Sequence, residues 1–398
     1  MVLAGACRVA AIRPRNPLPM ILMGGYALRL FLQMFLRDIK FFSHELGGDC
    51  ILYEDIAQYV ALNWRHTDIH YITSAEWPEM GPTTLPQNLF ALVIYLNDGE
   101  KTRLGCVALI ALAAALTVLN VFKLALELGA REREATIIAS IFYFDPAFLY
   151  HTSDTFKDGL VICFALGALG SAVRLSRRWS LLHALAGLLC IACLWLVRHY
   201  LVFATVAPLI VGLVGIGSRS VVRPMTAALL LAAAGMALVQ YTDALQLSSQ
   251  HAAETFERAT SSHVLASSAS GGSGVLFDDG GSPTGALIPK LAYTLLSPFF
   301  WSAGSVGLQI GKLEAFLWYF IMYRAFRASR LIDGRLLLTL LTFILPLTLA
   351  YAMTVANVGL IVRQRLIIVV GTAVLAALYR PQRRPAYLPT VRAIRVAR

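Results

Sequence analysis

Charge is what this sequence has least of. Only 14% of its 398 residues are Asp, Glu, Lys or Arg, while 58% are hydrophobic and the mean hydropathy is +0.66. A water-soluble globule draws about 25% of its residues from the charged types to cover its surface, so a soluble fold is excluded and the chain reads as a polytopic membrane protein. Cysteine is also sparse, at Cys7, Cys50, Cys106, Cys163, Cys190 and Cys193. Of these, Cys50 alone falls clearly on the outer side in the layout below, which excludes an external disulfide framework. Cys190-x-x-Cys193 has redox-motif spacing, but it lies inside an apolar stretch, where cysteine behaves as a small apolar residue. No Gly-Lys-Ser/Thr run closes a nucleotide phosphate loop, and no internal repeat of the transporter kind is visible. His66 and His70 have the four-residue spacing of a helical metal pair, but Asp68 falls off that face, so no zinc site is read there.

What is present is a series of long apolar runs. A spanning helix needs about 20 mostly apolar residues, and ten stretches qualify: 18–36, 104–122, 135–150, 159–173, 181–197, 200–217, 224–241, 313–326, 336–356 and 366–379. The expected fold is therefore an all-α transmembrane bundle of about ten spans over 18–379. A short segment, 1–17, precedes it and a basic tail, 380–398, follows. The stretch 287–310 is apolar but interrupted by Pro289 and Pro298, so it reads as interfacial or re-entrant, because a lipid-exposed broken helix would leave backbone groups unpaired. Arg8, Arg13 and Arg15 before the first span resemble the start of a cleavable signal. Pro14, Pro17 and Pro19 crowd the entry and no small-residue cleavage site follows, so a retained span is expected.

Loop charge orients the bundle. With both termini cytoplasmic, the inner ends and loops collect 21 of the 34 basic residues, including Arg131, Arg174, Arg324 and six tail arginines, against the acids Glu127, Glu132, Glu134 and Asp333. This is the asymmetry of the positive-inside rule. The net charge of +11 then reflects orientation and contact with anionic membrane lipids, and no nucleic-acid partner is implied. The charged residues read as lying within spans are Arg29 and Asp145.

Polar chemistry gathers on the outer face. The first outer loop, 37–103, carries ten acids: Asp38, Glu45, Asp49, Glu54, Asp55, Asp68, Glu76, Glu79, Asp98 and Glu100. Between Tyr53 and Trp64 its apolar and aromatic residues fall close to helical spacing, so a short amphipathic helix at the membrane surface is expected. Gly47-Gly48 permits a tight turn before it, and Asp49 would then sit at or near the helix N-terminus, where an N-cap role is one reading. A second cluster runs from Asp145-Pro146 to Ser153, Lys157 and Asp158. Charges this close to apolar spans often mark function, and the plainer reading pairs Lys157 with Asp158 in an interfacial turn. The third is Asn357 to Arg365. Arg363 and Arg365 carry the planar fork suited to a phosphate group, or bond lipid headgroups and loop carbonyls, and Arg198-His199-Tyr200 falls on the same face. A Ser/Gly-rich loop, 242–286, carries Asp278-Asp279 between glycines. It is either a plain flexible loop or a lid over substrate.

Three patterns resemble one family. Gly48-Asp49 followed by Tyr53 and Ala57, then Pro146 with Ser153-x-x-x-Lys157-Asp158, then Asn357-x-Gly359-x-x-x-Arg363-x-Arg365 are similar to features of the polytopic GT-C glycosyltransferases that use polyprenyl-phosphate-linked sugars. The resemblance implies a bacterial inner-membrane enzyme of the cell envelope, inverting, that transfers a sugar from a polyprenyl-phosphate donor to a glycan or lipid acceptor. It implies Asp49 as catalytic base. Lys157, Asp158, Arg198, Arg363 and Arg365, with Tyr53, Glu54 and Asp55, would bind substrate, and Arg29 is a further basic candidate for the phosphate. A second metal-holding carboxylate is not defined, since Glu54 and Asp55 are only neighbours of Asp49, so dependence on a divalent metal stays open. Two other readings stand beside it. A polysaccharide polymerase or ligase on lipid-linked oligosaccharides would depend more on Arg363 and Arg365, and a flippase or transporter would line a midplane path with charge.

Overall fold

The fold is that of a computed structural model describing residues 15–36, 48–81, 83–215, 286–302, 306–354 and 357–379, with single positions at 5, 12, 274, 275 and 277. The expected span 224–241, most of the 242–286 loop with Asp278 and Asp279, residues 37–47 of the first outer loop, twelve residues of 1–17 and the tail 380–398 lie outside the described residues.

The chain is helical throughout its described parts. In order come α1 (Leu18–Leu36), α2 (Gly48–His66), a 3₁₀ turn (Pro78–Met80), α3 (Leu85–Leu96), α4 (Arg103–Glu127), α5 (Glu132–Tyr143), α6 (Pro146–His151), α7 (Asp158–Arg177), α8 (Leu181–Arg198), a second 3₁₀ turn (His199–Leu201), α9 (Val202–Val214), α10 (Leu287–Leu296), α11 (Val306–Ala328), α12 (Gly334–Thr354) and α13 (Val358–Ala376). Among the described residues there is no strand, and one isolated antiparallel bridge joins Gly274 to Asn357. Six stretches among them are long and apolar enough to cross a membrane, while the expectation of about ten covers the whole chain, including the undescribed 224–241.

One of the six, Leu181–Val214, is a hairpin. The backbone leaves the helical region at Arg198 (φ −159°, ψ 80°), and Leu209 and Leu213 on the return leg pack against Ala184 on the outgoing one. The exposed leucines of α8, Leu181, Leu182, Leu185 and Leu189, form a greasy outer face. A helix apolar all round belongs in the centre, and α13 is that helix: Leu366, Ile367, Ile368, Val369 and Val370 are all buried in succession. They join residues of α4, α5, α7, α11 and α12 in the main core.

Several boundaries differ from expectation for local reasons. The span expected over 135–150 breaks in two, because Asp145 accepts a hydrogen bond from the Phe148 amide and starts a new helix at Pro146, where the missing N–H is harmless. The last span begins at Val358 instead of 366, because the Asn357 side chain accepts from the Gly359 and Leu360 amides and so caps the helix there. Arg363 and Arg365 therefore stand on a helix and not in an outer loop. The apolar stretch 287–310 divides between α10 and the start of α11.

Within the segment expected as the first outer loop, residues 48–81 and 83–103 form a folded unit. The expected amphipathic helix is present and longer, α2, and it buries Ile56, Val60 and Trp64 against Phe90, Ala91 and Ile94 of α3 and Cys106 and Ile110 of α4. The unit is tied to the α8 end by the Thr84 amide donating to the Leu196 carbonyl at 3.0 Å. At the opposite end of the bundle Arg174 pairs with Glu127 at 2.9 Å and Arg324 with Glu134 at 2.5 Å.

Close approach of α7 and α9 depends on Gly212. A Cβ built there lies 2.5 Å from the Ala172 carbonyl oxygen, a backbone atom that cannot rotate away. Gly212→Ala is expected to destabilise by about 1–3 kcal/mol, read as a lower thermal midpoint in detergent. Gly24→Ala, where no heavy atom lies within 4 Å of the added Cβ, leaves the midpoint unchanged or raises it.

Candidate functional site

Asp158 opens α7 and is buried. A carboxylate suits the first turn of a helix, where amide dipoles converge, but a buried charge also needs partners. It has two. Arg363 Nε of α13 donates to Asp158 Oδ2 at 2.7 Å, and Arg198 Nη2, at the tip of the α8/α9 hairpin, lies 3.2 Å from Oδ1. The expected pairing of Lys157 with Asp158 is not what forms: Lys157 Nζ donates to Thr83 Oγ1 at 2.8 Å and lies 5.4 Å from the Tyr53 ring centroid. Burial, helped by Arg198, pushes the Lys157 ammonium down to about 8. Burial, helped by the nearby Asp49 charge, pushes the Tyr53 phenol up to about 12.

Asp49 approaches from α2. Its carboxylate lies 3.6 Å from Arg363 Nη1 and its side chain is 55% exposed, in the first helical turn. Of the two carboxylates on Arg363, Asp158 is committed to guanidiniums and enclosed, whereas Asp49 is open to solvent. Arg363 also lies over the Phe156 ring at 5.1 Å. Beneath it His151 is buried and packs edge-on against Tyr150 and Phe156. Burial first, and the Arg363 charge second, push this imidazole down to about 3, so it is neutral at physiological pH.

After these pairings two buried N–H-bearing atoms still have no acceptor, Arg198 Nη1 and Arg363 Nη2. Buried donors of this kind call for an acceptor, and with Lys157 close by the acceptor that fits is an anion. Guanidiniums present their donors in a rigid planar fork that matches phosphate oxygens.

The remaining expected residues separate. Glu54 turns inward and accepts from Thr155 Oγ1 at 2.7 Å, while Asp55, the next residue, turns outward to Lys101. They do not form a joint carboxylate pair. Among the described residues no group of three or more His, Cys, Asp or Glu side chains could hold a metal ion. His70 lies beyond the end of α2 and bonds Glu76 at 3.1 Å, so the helical spacing with His66 is not realised. Arg29 is enclosed in the bundle, donating to Thr152 Oγ1 at 2.7 Å and to the Tyr143 carbonyl at 2.9 Å. Arg365 corrects the expectation of a second phosphate-facing arginine. It is fully buried, with its guanidinium on Glu314 and on the Ser297 carbonyl at 2.6 Å, because two residues on from Arg363 a helix faces nearly the opposite way. Buried charge within the bundle thus extends beyond Arg29 and Asp145 to Glu314 and Arg365.

Thr83, Thr155, Phe156 and His151 were not singled out by sequence reasoning. The last three lie within the cluster running from Asp145 to Asp158, but Thr83 carries no signal at all: its place depends on the docking of the first outer loop against α8.

Removing the Asp158 carboxylate strands two buried guanidiniums, and breaking a buried pair this way costs about 3–5 kcal/mol. Asp158→Ala is expected to lower stability by that order in detergent-solubilised protein, followed by thermal unfolding. Asp49→Asn, at a half-open side chain, stays within about 0.5 kcal/mol. Comparison of the chain with family models, with curated proteins and with solved structures finds no match, so the reading of this site rests on its own chemistry.

Proposed function

We propose that the protein is a membrane-embedded glycosyltransferase that moves a sugar from a polyprenyl-phosphate donor to a lipid-linked or polysaccharide acceptor at the outer face of a bacterial inner membrane. The observation that carries this reading is the meeting of an exposed carboxylate, Asp49, with three cations, Lys157, Arg198 and Arg363, at one end of an apolar bundle. A lipid-linked phosphate is a ligand that joins an apolar chain, at home against such a bundle, to an anionic head suited to those cations.

In this mechanism the acceptor hydroxyl loses its proton to an Asp49 carboxylate oxygen as its own oxygen attacks the anomeric carbon. The bond from that carbon to the phosphate oxygen breaks, and the electron pair leaves with the polyprenyl phosphate. Attack opposite the leaving group inverts the configuration. Arg198 and Arg363, held in place by Asp158, and Lys157 stabilise the charge that grows on the leaving phosphate. Asp158 orients the guanidiniums and is not itself the base, because both its oxygens face arginines. Tyr53 and Thr83 position Lys157.

A ligase or polymerase that relies on Arg363 together with Arg365 draws less support, since Arg365 is engaged by Glu314 and the Ser297 carbonyl.

The direct test is transfer of labelled sugar from a polyprenyl-phosphate donor by the reconstituted protein. Asp49→Asn is expected to lower transfer about 10²- to 10⁴-fold, the usual contribution of a general base, while donor binding persists; unimpaired transfer by this variant removes the proposed base. A second expectation concerns pH. Lys157 titrates at about 8 and is charged below that value, so kcat/KM for the donor is expected to fall as pH rises through about 8. Lys157→Arg, which keeps its charge far above that range, moves this alkaline limb upward. A limb that does not move in Lys157→Arg assigns it to another group.

A further inference from the structure

At the end of the bundle opposite Asp158, α11 and the turn after it carry three arginines of unlike standing. Arg324 is buried and fully engaged: its guanidinium pairs with Glu134 and donates to the Ala376 and Tyr379 carbonyls. Arg327, in the last turn of α11, and Arg330, just beyond it, are exposed. Among the described residues no carboxylate lies within ion-pair distance of either. Glu134 is taken by Arg324 and Glu127 by Arg174, while Asp333, the nearest acid in sequence, accepts from the Arg335 amide at 2.8 Å.

What these two arginines do touch is aromatic. The Arg327 guanidinium carbon lies 6.0 Å from the Tyr323 ring centroid and 5.8 Å from that of Tyr379, and the Arg330 carbon lies 5.6 Å from that of Phe326. A ring of this kind takes the face of a guanidinium. The planar N–H fork at its edge, the part that matches phosphate oxygens, is left for another partner.

The same rings belong to an apolar stripe. Leu313, Phe316, Phe320, Tyr323 and Phe326 are all exposed and recur every three or four residues, so they share one face of α11. From Leu313 to Phe326 the stripe runs about 20 Å at 1.5 Å per residue, over half of the ~30 Å hydrocarbon core of a bilayer. One helix face therefore offers a length of apolar surface that ends at two cations without a counter-ion. An acidic protein segment would match the cations and leave the stripe uncovered, whereas a lipid with an anionic head group matches both. The tail 380–398 has six arginines and no acid, so it does not supply the anion.

We propose that an anionic phospholipid docks on α11, its acyl chain along the Leu313 to Phe326 stripe and its head-group phosphate on Arg327 and Arg330. This site is separate from the donors of Arg198 and Arg363 at the other end of the bundle, and it does not rest on the proposed glycosyl transfer.

The experiment is thermal unfolding of the full-length protein in a neutral detergent, titrated with phosphatidylglycerol or with phosphatidylcholine. A ligand that binds the native state alone lowers the unfolding constant about tenfold for each tenfold rise above its Kd. The wild type is expected to respond in this way to phosphatidylglycerol and not to phosphatidylcholine. The double variant Arg327→Gln/Arg330→Gln is expected to bind phosphatidylglycerol about 30-fold more weakly, from roughly 1 kcal/mol for each arginine beside an anionic lipid at about 1.4 kcal/mol per tenfold. Arg65→Gln/Lys101→Gln removes the same charge from two exposed side chains of the α2 to α4 unit and is expected to keep the wild-type affinity. Four results overturn the proposal: an equal response to phosphatidylcholine, an equal response to inorganic phosphate alone, unweakened binding by the Arg327/Arg330 variant, or equal weakening in the Arg65/Lys101 variant. The first two are read on the wild type, so they hold whether or not the variants fold.

Discussion

The Asp158 carboxylate is the interaction on which the candidate site depends. It compensates two guanidiniums from elements far apart in sequence, one at the tip of the α8/α9 hairpin and one in the second turn of α13. Neither arginine would be stable in that enclosure alone, because a buried unpaired charge costs several kcal/mol. The same carboxylate sits where the amide dipoles of α7 converge, so its negative charge is supported by its own helix. This end of the bundle is in this sense assembled around one oxygen pair. Arg198 and Arg363 still have unfilled donors that a substrate anion can take.

The central helix α13 divides its charges between two environments. Arg363 faces Asp158 and the half-open Asp49, and Arg365 faces Glu314 in the interior. A displacement of α13 along its axis would disturb both clusters together. The two clusters are therefore mechanically linked by one rigid element, and in the first of them Arg198 Nη1 and Arg363 Nη2 keep buried donors without an acceptor.

How much was legible in the sequence varies with the type of constraint. Lys157 and Asp158 were marked as charges close to apolar spans, Arg363 and Arg198 as cations on the expected outer face, and Asp49 by its place at a helix start and by the family resemblance, and the structure gathers all five at one end. Arg365 was marked with Arg363 for its phosphate-matching fork and belongs elsewhere, since two residues of helix reverse a side chain's direction and the start of α13 turned on a single capping side chain, Asn357. Lys157 and Asp158 looked like partners because they are adjacent, yet adjacent residues at a helix start point apart. Glu314 was passed over inside an apolar run. Thr83 was invisible, because a threonine acquires meaning only from what it touches.

The sequence by itself determined the helical membrane class, through scarcity of charge and length of apolar runs, properties that local composition carries. It also determined where helices can start, at Asp145-Pro146 and Asn357, because capping is a short-range effect. Tertiary structure alone decided which cation meets which carboxylate, that Glu54 and Asp55 part company, and that the Leu181–Val214 stretch folds back on itself. Those outcomes depend on contacts between residues far apart in the chain, from tens of residues, as along Leu181–Val214 and between Arg198 and Asp158, to several hundred, as between Asp49 and Arg363, and the desolvation that makes each pairing matter exists only once the bundle has closed around it.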